Sequence, residues 1–274
     1  MIYYIDSIKN NYGPREEVVK RLPEVETLIK MREQDSAFIC GLLEQYRPKK
    51  ILEVGIGHGG TSAIIMECMH ELGLSCELHC VDRKESGYDG SDREIGFLGK
   101  EACKLFGFDR YHLWKGAVLP QVIDQIGFGI DFMILDTNHK LPGEAMDFLA
   151  AYPYLSQNAV VCLHDIRQNQ KTPPKQEQIA TNVLFNSVAA DKFINTDPER
   201  QPDYANIGAF RINSDTEKYI TNVFGALTLN WSYFPLEDEL NAYSEIIRRH
   251  YSEEACWIFD RAVWMNKSSL SEEI

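Results

Sequence analysis

The stretch Ile51-Leu52-Glu53-Val54-Gly55-Ile56-Gly57-His58-Gly59-Gly60-Thr61-Ser62 constrains the fold of this chain more than any other. An apolar run carries an acid at its end, a glycine-rich turn follows, and Thr61 to His70 has the pattern of a helix. That is a strand, a turn and a helix. The glycines tolerate positive φ and let the backbone approach a ligand with no Cβ in the way. Amide donors at the start of the following helix then face whatever binds above the turn, which has the size for a phosphate or a nucleoside.

Further strands repeat the pattern. Leu78 to Asp82, Tyr111 to Ala117 with its turn, Phe132 to Asp136, and Ala159 to Leu163 followed by His164-Asp165 alternate with helical segments. Alternation of this kind predicts an α/β, doubly wound, mostly parallel, Rossmann-like sheet. Four strands close on acids: Glu53, Asp82, Asp136 and Asp165. In a parallel sheet the C-terminal strand ends share one edge, where ligands bind, so the four acids should converge there. Gly55, Gly57 and Gly60 fit the spacing G-x-G-x-x-G of dinucleotide sites. Asp82 can accept both hydroxyl protons of a ribose, a role that serves NAD and S-adenosylmethionine (SAM) equally.

The rest of the chain reads as cover for that sheet. Residues 1–50 form an N-terminal helical cover, with a helix start at Pro14-Arg15-Glu16-Glu17. An amphipathic helix is expected from Glu24 to Tyr46, broken near Gln34-Asp35-Ser36, with Arg32 to Phe38 either packing or closing over a ligand. Residues 51–213 form the ligand-binding domain. Within it Glu85 to Gly99 reads as a long mobile loop, Glu101–Phe106, Pro120–Ile126, Leu141–Leu155 and Ile179–Ala190 as helices, and Asn206 to Ile212 as a sheet-edge strand. Gln168 to Lys175, with Pro173-Pro174, and Asn195 to Tyr204 read as polar loops. Residues 214–274 form a helical, aromatic-rich C-terminal extension, whose aromatics pack on the domain or on a twin subunit.

The formal net charge of −13 argues against a nucleic-acid or anionic-membrane surface. Seven cysteines without a C-x-x-C pair fit reduced thiols in a cytoplasmic protein. The N-terminus lacks the layout of a signal peptide, and no apolar run is long enough to span a bilayer. The expected partner is a small molecule, with a homo-oligomer formed through the C-terminal extension as a second expectation.

Asp136, His139, His164 and Asp165 carry the chemistry. Two carboxylates on adjacent strand ends can hold Mg²⁺ or another divalent cation, which would lower the pKa of a bound acceptor hydroxyl. His139, one turn past Asp136, is placed to take that hydroxyl proton as a neutral imidazole. The bland alternatives are a core-edge His164 bonded to backbone and a His139 that caps the next helix.

At these motifs residues 35–166 resemble class I SAM-dependent methyltransferases. The pattern is that of a bacterial group with E-x-G-x-x-x-G-x-[ST], D-x-x-H after the fourth strand and H-D after the fifth. The group includes macrolide-sugar O-methyltransferases and cephalosporin hydroxylase-like proteins, and is akin to catechol O-methyltransferases. The resemblance implies that Glu53, Gly55, Gly57, Gly59 and Thr61 line the methionine end of SAM, that Asp82 holds the ribose, and that Gly116 and Ala117 border the adenine. It implies Asp136 and Asp165 as metal ligands with His164 at the third position, and His139 as general base. Two departures stand out: Ile166 replaces the Asn of catechol-type enzymes, and His164 replaces an acid of the sugar-modifying relatives. The implied activity is methyl transfer to a hydroxyl of a small molecule, a sugar or secondary metabolite. An NAD-dependent oxidoreductase, a non-catalytic SAM-binding protein and an oxygenase-type activity are the alternatives.

Overall fold

A computed structural model of the chain describes residues 8–87, 89–170, 177–195 and 206–271. The order of elements is α1 (Gly13–Arg21), α2 (Glu24–Leu28), α3 (Glu33–Tyr46), β1 (Lys50–Val54), α4 (Gly60–Glu71), β2 (Glu77–Asp82), α5 (Phe97–Phe106), β3 (Tyr111–Lys115), α6 (Leu119–Ile126) and β4 (Ile130–Leu135). There follow α7 (Gly143–Ala151), β5 (Leu155–Leu163), α8 (Ala180–Ser187), β6 (Asp191–Ile194), β7 (Gly208–Arg211), α9 (Ser214–Lys218), α10 (Thr221–Ala226), α11 (Glu237–His250) and α12 (Glu253–Ser271).

Among the described residues seven strands form one sheet in the order β3-β2-β1-β4-β5-β7-β6. The first five run parallel, and β7 runs antiparallel to both β5 and β6. Side chains alternate across the strands with period two, so both faces are buried. Leu52, Val54, Met133, Leu135, Val161 and Leu163 enter the core shared with α6, α7 and the C-terminal helices. Ile51, Leu78, Cys80, Phe132, Ile134 and Cys162 enter the core shared with α1, α3 and α4. The result is a three-layer α/β sandwich whose parallel strands all end on one edge.

Several expected boundaries move. The break in the leading helix falls at Ile29–Arg32, upstream of Gln34-Asp35-Ser36. Those three residues instead form the first turn of α3, where the Ser36 hydroxyl donates to the carbonyls of Glu33 (2.9 Å) and Arg32 (3.2 Å). The helix expected over Leu141–Leu155 is α7 alone, followed by a short 3-10 turn at Tyr152–Tyr154. Pro153 has no amide proton with which to continue the helix. β7 is an interior strand, because β6, a four-residue strand unread in the sequence, takes the edge beyond it. The second half of the Glu85–Gly99 segment is packed: Ile95 is buried, and the amides of Gly96 and Leu98 donate to the carbonyls of Gly57 (2.9 Å) and His58 (3.0 Å). The Pro173-Pro174 loop and residues 196–204 lie outside the described residues.

The C-terminal helices bury Phe224, Trp231, Tyr243 and Phe259 in the domain core, while Trp257 and Trp264 stay 59% and 68% exposed. Among the described residues no helix is long and apolar enough to cross a membrane.

Candidate functional site

The C-terminal strand edge opens into a cavity of about 800 Å³, within the roughly 300–1,000 Å³ usual for small-molecule sites. One wall is the turn from β1 into α4, where Gly55 and Gly57 adopt φ of +89° and +54°. A Cβ on Gly55 would lie 2.0 Å from the carbonyl oxygen of Asp136, so this position accepts no side chain. Asp82 holds the turn from the side: its Oδ2 accepts from the amides of Ile56 (2.9 Å) and Gly57 (3.1 Å), and its Oδ1 from the amide of Lys84 (2.9 Å). A carboxylate has about four acceptor sites, so capacity remains for ligand hydroxyls.

Of the residues expected to contact a cofactor, Gly55, Gly57, Thr61, Asp82 and Ala117 line the cavity, and Glu53, Gly59 and Gly116 stand behind its wall. Glu53 is 1% exposed and accepts from the Ser62 hydroxyl (2.5 Å) and the Cys80 thiol (3.0 Å). It therefore ties β1 to α4 and β2 rather than facing a ligand, and burial pushes its carboxyl up to about 7. Gly59 makes room for α5, since a Cβ there would meet Gly96 and Gly99 backbone at 2.9 Å. Gly116 makes room for the Glu85 carboxylate in the same way, at 2.9 Å.

The floor of the cavity is the cluster at the ends of β4 and β5. Asp136 follows β4 and His164 follows β5, and the His164 Nδ1 is 3.0 Å from the Asp136 Oδ1. His139 and Asp165 both take left-handed backbone conformations, with φ of 60° and 57°. The His139 Nε2 lies 3.3 Å from Asp165 Oδ2 and 3.5 Å from Asp136 Oδ1, so it stands between the two carboxylates. Asn206, just before β7, donates its amide to Asp165 Oδ1 at 2.5 Å.

Two further carboxylates belong to this cluster and were not singled out from sequence. Asp35, on the first turn of α3, is fully buried, accepts from Arg32 (3.0 Å) and stands 3.5 Å from the His164 Nε2. Glu144, on the first turn of α7, is also fully buried; it accepts from the His139 amide (2.8 Å) and lies 3.1 Å from the His139 Nδ1. Burial alone would lower the basicity of both rings. Asp136 overrides it at His164, whose pKa sits well above the ordinary imidazole value, and Glu144 overrides it at His139, which is also raised. Burial likewise opposes the ionised Asp136, yet the neighbouring His164 charge holds its carboxyl below the usual range.

The other walls come from the ends of the chain. Leu28 to Arg32 line the cavity, whereas Phe38 is fully buried, so of the Arg32–Phe38 segment Arg32 reaches the cavity and Phe38 packs in the core. From the C-terminal extension come Tyr233, Pro235, Glu239 and Tyr243. Tyr243 donates its hydroxyl to Asp147 at 2.5 Å, and Arg83 bonds Glu239 at 2.5 Å. Burial pushes the Asp147 carboxyl up to about 7.

Asp136, His139 and His164 each offer one ligand atom, all within 4.8 Å of one another, so a divalent cation fits this floor. Asp165 borders the same group, its Oδ2 3.8 Å from the His164 Nδ1.

Residues 52–166 match a family described as a methyltransferase domain. Among solved structures, the chain resembles the S-adenosylhomocysteine (SAH)-bound methyltransferase PaMTH1 from Podospora anserina at 15% identity and a TM-score of 0.51, covering 78% of this chain and 91% of that one. It also resembles the O-methyltransferase TomG from Streptomyces achromogenes, a protein of tomaymycin synthesis solved with SAM, at 12% identity and a TM-score of 0.51, covering 78% and 92%. No curated protein matches the chain. The matched stretch runs from β1 through the β5 tip, the part of the sheet whose strand ends open into the cavity.

Proposed function

We propose that this protein is a methyltransferase that transfers a methyl group from SAM to a hydroxyl oxygen of a small, polar molecule, a sugar or secondary metabolite. The observation that carries the reading is the division of one cavity into two chemically different ends. The glycine turn and Asp82 form an end with the shape and acceptors for a nucleoside. Asp136, His139, His164 and Asp165 form a floor with the groups to receive a proton. Gln168, Gln178, Asn138 and Asn206 line the cavity as well, and their amides suit a hydroxylated acceptor.

Methyl transfer to oxygen needs the acceptor held in line with the methyl donor and its proton removed. In this reading Gly55 and Gly57 let the cofactor lie against the backbone, and Asp82 takes the ribose hydroxyls while fixing the turn. Asp165, oriented by Asn206, receives the acceptor hydroxyl beside the His139 Nε2. As the expected base, His139 works only when neutral, and Glu144, Asp136 and Asp165 hold its proton more tightly than water would. Asp136 and His164, with Asp165 or His139 beside them, would hold a divalent cation, which supplies an acidified hydroxyl when bound.

The reading predicts that SAM and SAH bind and that NAD and NADP do not, in a calorimetric titration with and without added divalent cation. Tighter binding of NAD than of SAH would overturn it.

A further inference from the structure

We infer that His139 and His164 are both metal ligands, joined by Asp136, and that the cation they select is a first-row transition ion such as Fe²⁺, Co²⁺, Ni²⁺ or Zn²⁺ rather than Mg²⁺. The inference rests on the cation-assisted reading above and assigns the class of cation and the ligand set.

Both imidazoles share one arrangement. Each ring turns one nitrogen inward to Asp136 Oδ1: His164 Nδ1 at 3.0 Å and His139 Nε2 at 3.5 Å. Each turns the other nitrogen outward to a fully buried carboxylate: His164 Nε2 to Asp35 at 3.5 Å, and His139 Nδ1 to Glu144 at 3.1 Å. A histidine that binds a metal almost always has a carboxylate, carbonyl or water at its second nitrogen, which fixes the ring and raises its donor strength. Here that arrangement occurs twice, from four different elements, around one carboxylate oxygen.

The spacing also fits. Ligand atoms about 2.0–2.2 Å from a common metal lie about 3 Å apart when adjacent, and the two Asp136 distances are near this value. The donor types decide the cation. Mg²⁺ takes oxygen ligands and keeps several waters. Two imidazole nitrogens with one carboxylate suit the later first-row ions. The two imidazole nitrogens of His139 and His164 are thus the donors that move the preference. Asp35 and Glu144 are positioning residues in this scheme. With its Nε2 on the cation His139 no longer serves as the base, and Asp165, bonded to Asn206 and beside the metal on the acceptor side, takes the hydroxyl proton in its place.

The test uses the full chain, stripped with a chelator and titrated with Co²⁺ while visible absorption is recorded. We expect saturable d–d bands that a large excess of Mg²⁺ does not bleach. Asp35→Asn and Glu144→Gln should each weaken Co²⁺ binding roughly 10–100-fold, and His139→Gln and His164→Gln more than that. SAH affinity measured in chelator should be unchanged in all four, which shows that they fold. Bleaching by Mg²⁺ at comparable concentration, or wild-type Co²⁺ affinity in His139→Gln, would overturn the inference and leave the cation-assisted reading intact. Failure of every cation to bind, Mg²⁺ included, would overturn both.

Discussion

The Nε2 of His164 stands 3.5 Å from a carboxylate oxygen of Asp35, which belongs to the helix preceding the first strand. The N-terminal cover is therefore part of the site. Asp35 accepts from Arg32 on one side and faces the His164 ring on the other, and it is fully buried. Removing one partner of a buried charged cluster leaves the others uncompensated.

Asp35→Ala should therefore destabilise the protein by about 3–5 kcal/mol, the cost of breaking a buried ion pair. Asp35→Asn, which keeps the shape, should cost less. Chemical denaturation of the two variants and the wild type checks this. An Ala variant as stable as the wild type would remove Asp35 from the cluster.

Gly55→Ala tests the close approach of the turn to the β4 end. The added Cβ meets the Asp136 carbonyl at 2.0 Å in a left-handed backbone conformation. The left-handed conformation alone costs roughly 1–2 kcal/mol for a residue with a Cβ, and the clash adds to it. A lower melting temperature and lost SAH binding are expected; unchanged calorimetric affinity would contradict the placement of the turn.

Asp82→Ala removes the acceptor of the Ile56 and Gly57 amides and, with it, the acceptor proposed for the ribose hydroxyls. SAH affinity should fall by about 1–3 kcal/mol, the usual cost of losing a charged acceptor. The apo melting temperature should fall as well, because the turn loses its anchor. A drop in affinity with no drop in apo stability would assign Asp82 to the ligand alone.

Glu53 sets a pH dependence. Its folded pKa is about 7 against an ordinary value of 4.5, because burial disfavours its charge. Between these values the folded state keeps a proton that the unfolded state has released, so stability falls as pH rises from about 4.5 to about 7. The full effect is about 3 kcal/mol above that window. Glu53→Gln lacks this titration and should gain stability relative to the wild type as pH rises from 5 to 8. Parallel stability profiles for the two proteins would contradict a buried, protonated Glu53.

The fold is legible because the evidence for it is local: short, near-continuous apolar runs at Ile51, Leu78, Phe132 and Val160, each ending in an acid and a turn and separated by helical segments. The convergence of Asp82, Asp136, His139, His164 and Asp165 followed from parallel topology. β6 is hidden because Asp191-Lys192-Phe193-Ile194 has only two apolar residues and directly follows a helical segment. Asp35 and Glu144 were hidden for another reason. Each occupies a first helical turn, where acids are common simply because they suit the helix dipole, and only the tertiary fold turns them toward the histidines. Glu53 was read toward the ligand because its strand position allowed either direction, and its bonds to Ser62 and Cys80 decide for the interior.

The proposed reaction moves methyl to a hydroxyl oxygen at the Asp136–His139–His164 floor. Its most direct test is carbon NMR of reactions supplied with SAM carrying a ¹³C-methyl group and a panel of polyhydroxylated acceptors. We expect the label in an O-methyl resonance for the wild type, and its loss in Asp136→Asn and His139→Ala variants that still bind SAH. Label arriving on nitrogen or sulfur, or O-methyl product formed at the wild-type rate by either variant, would contradict it.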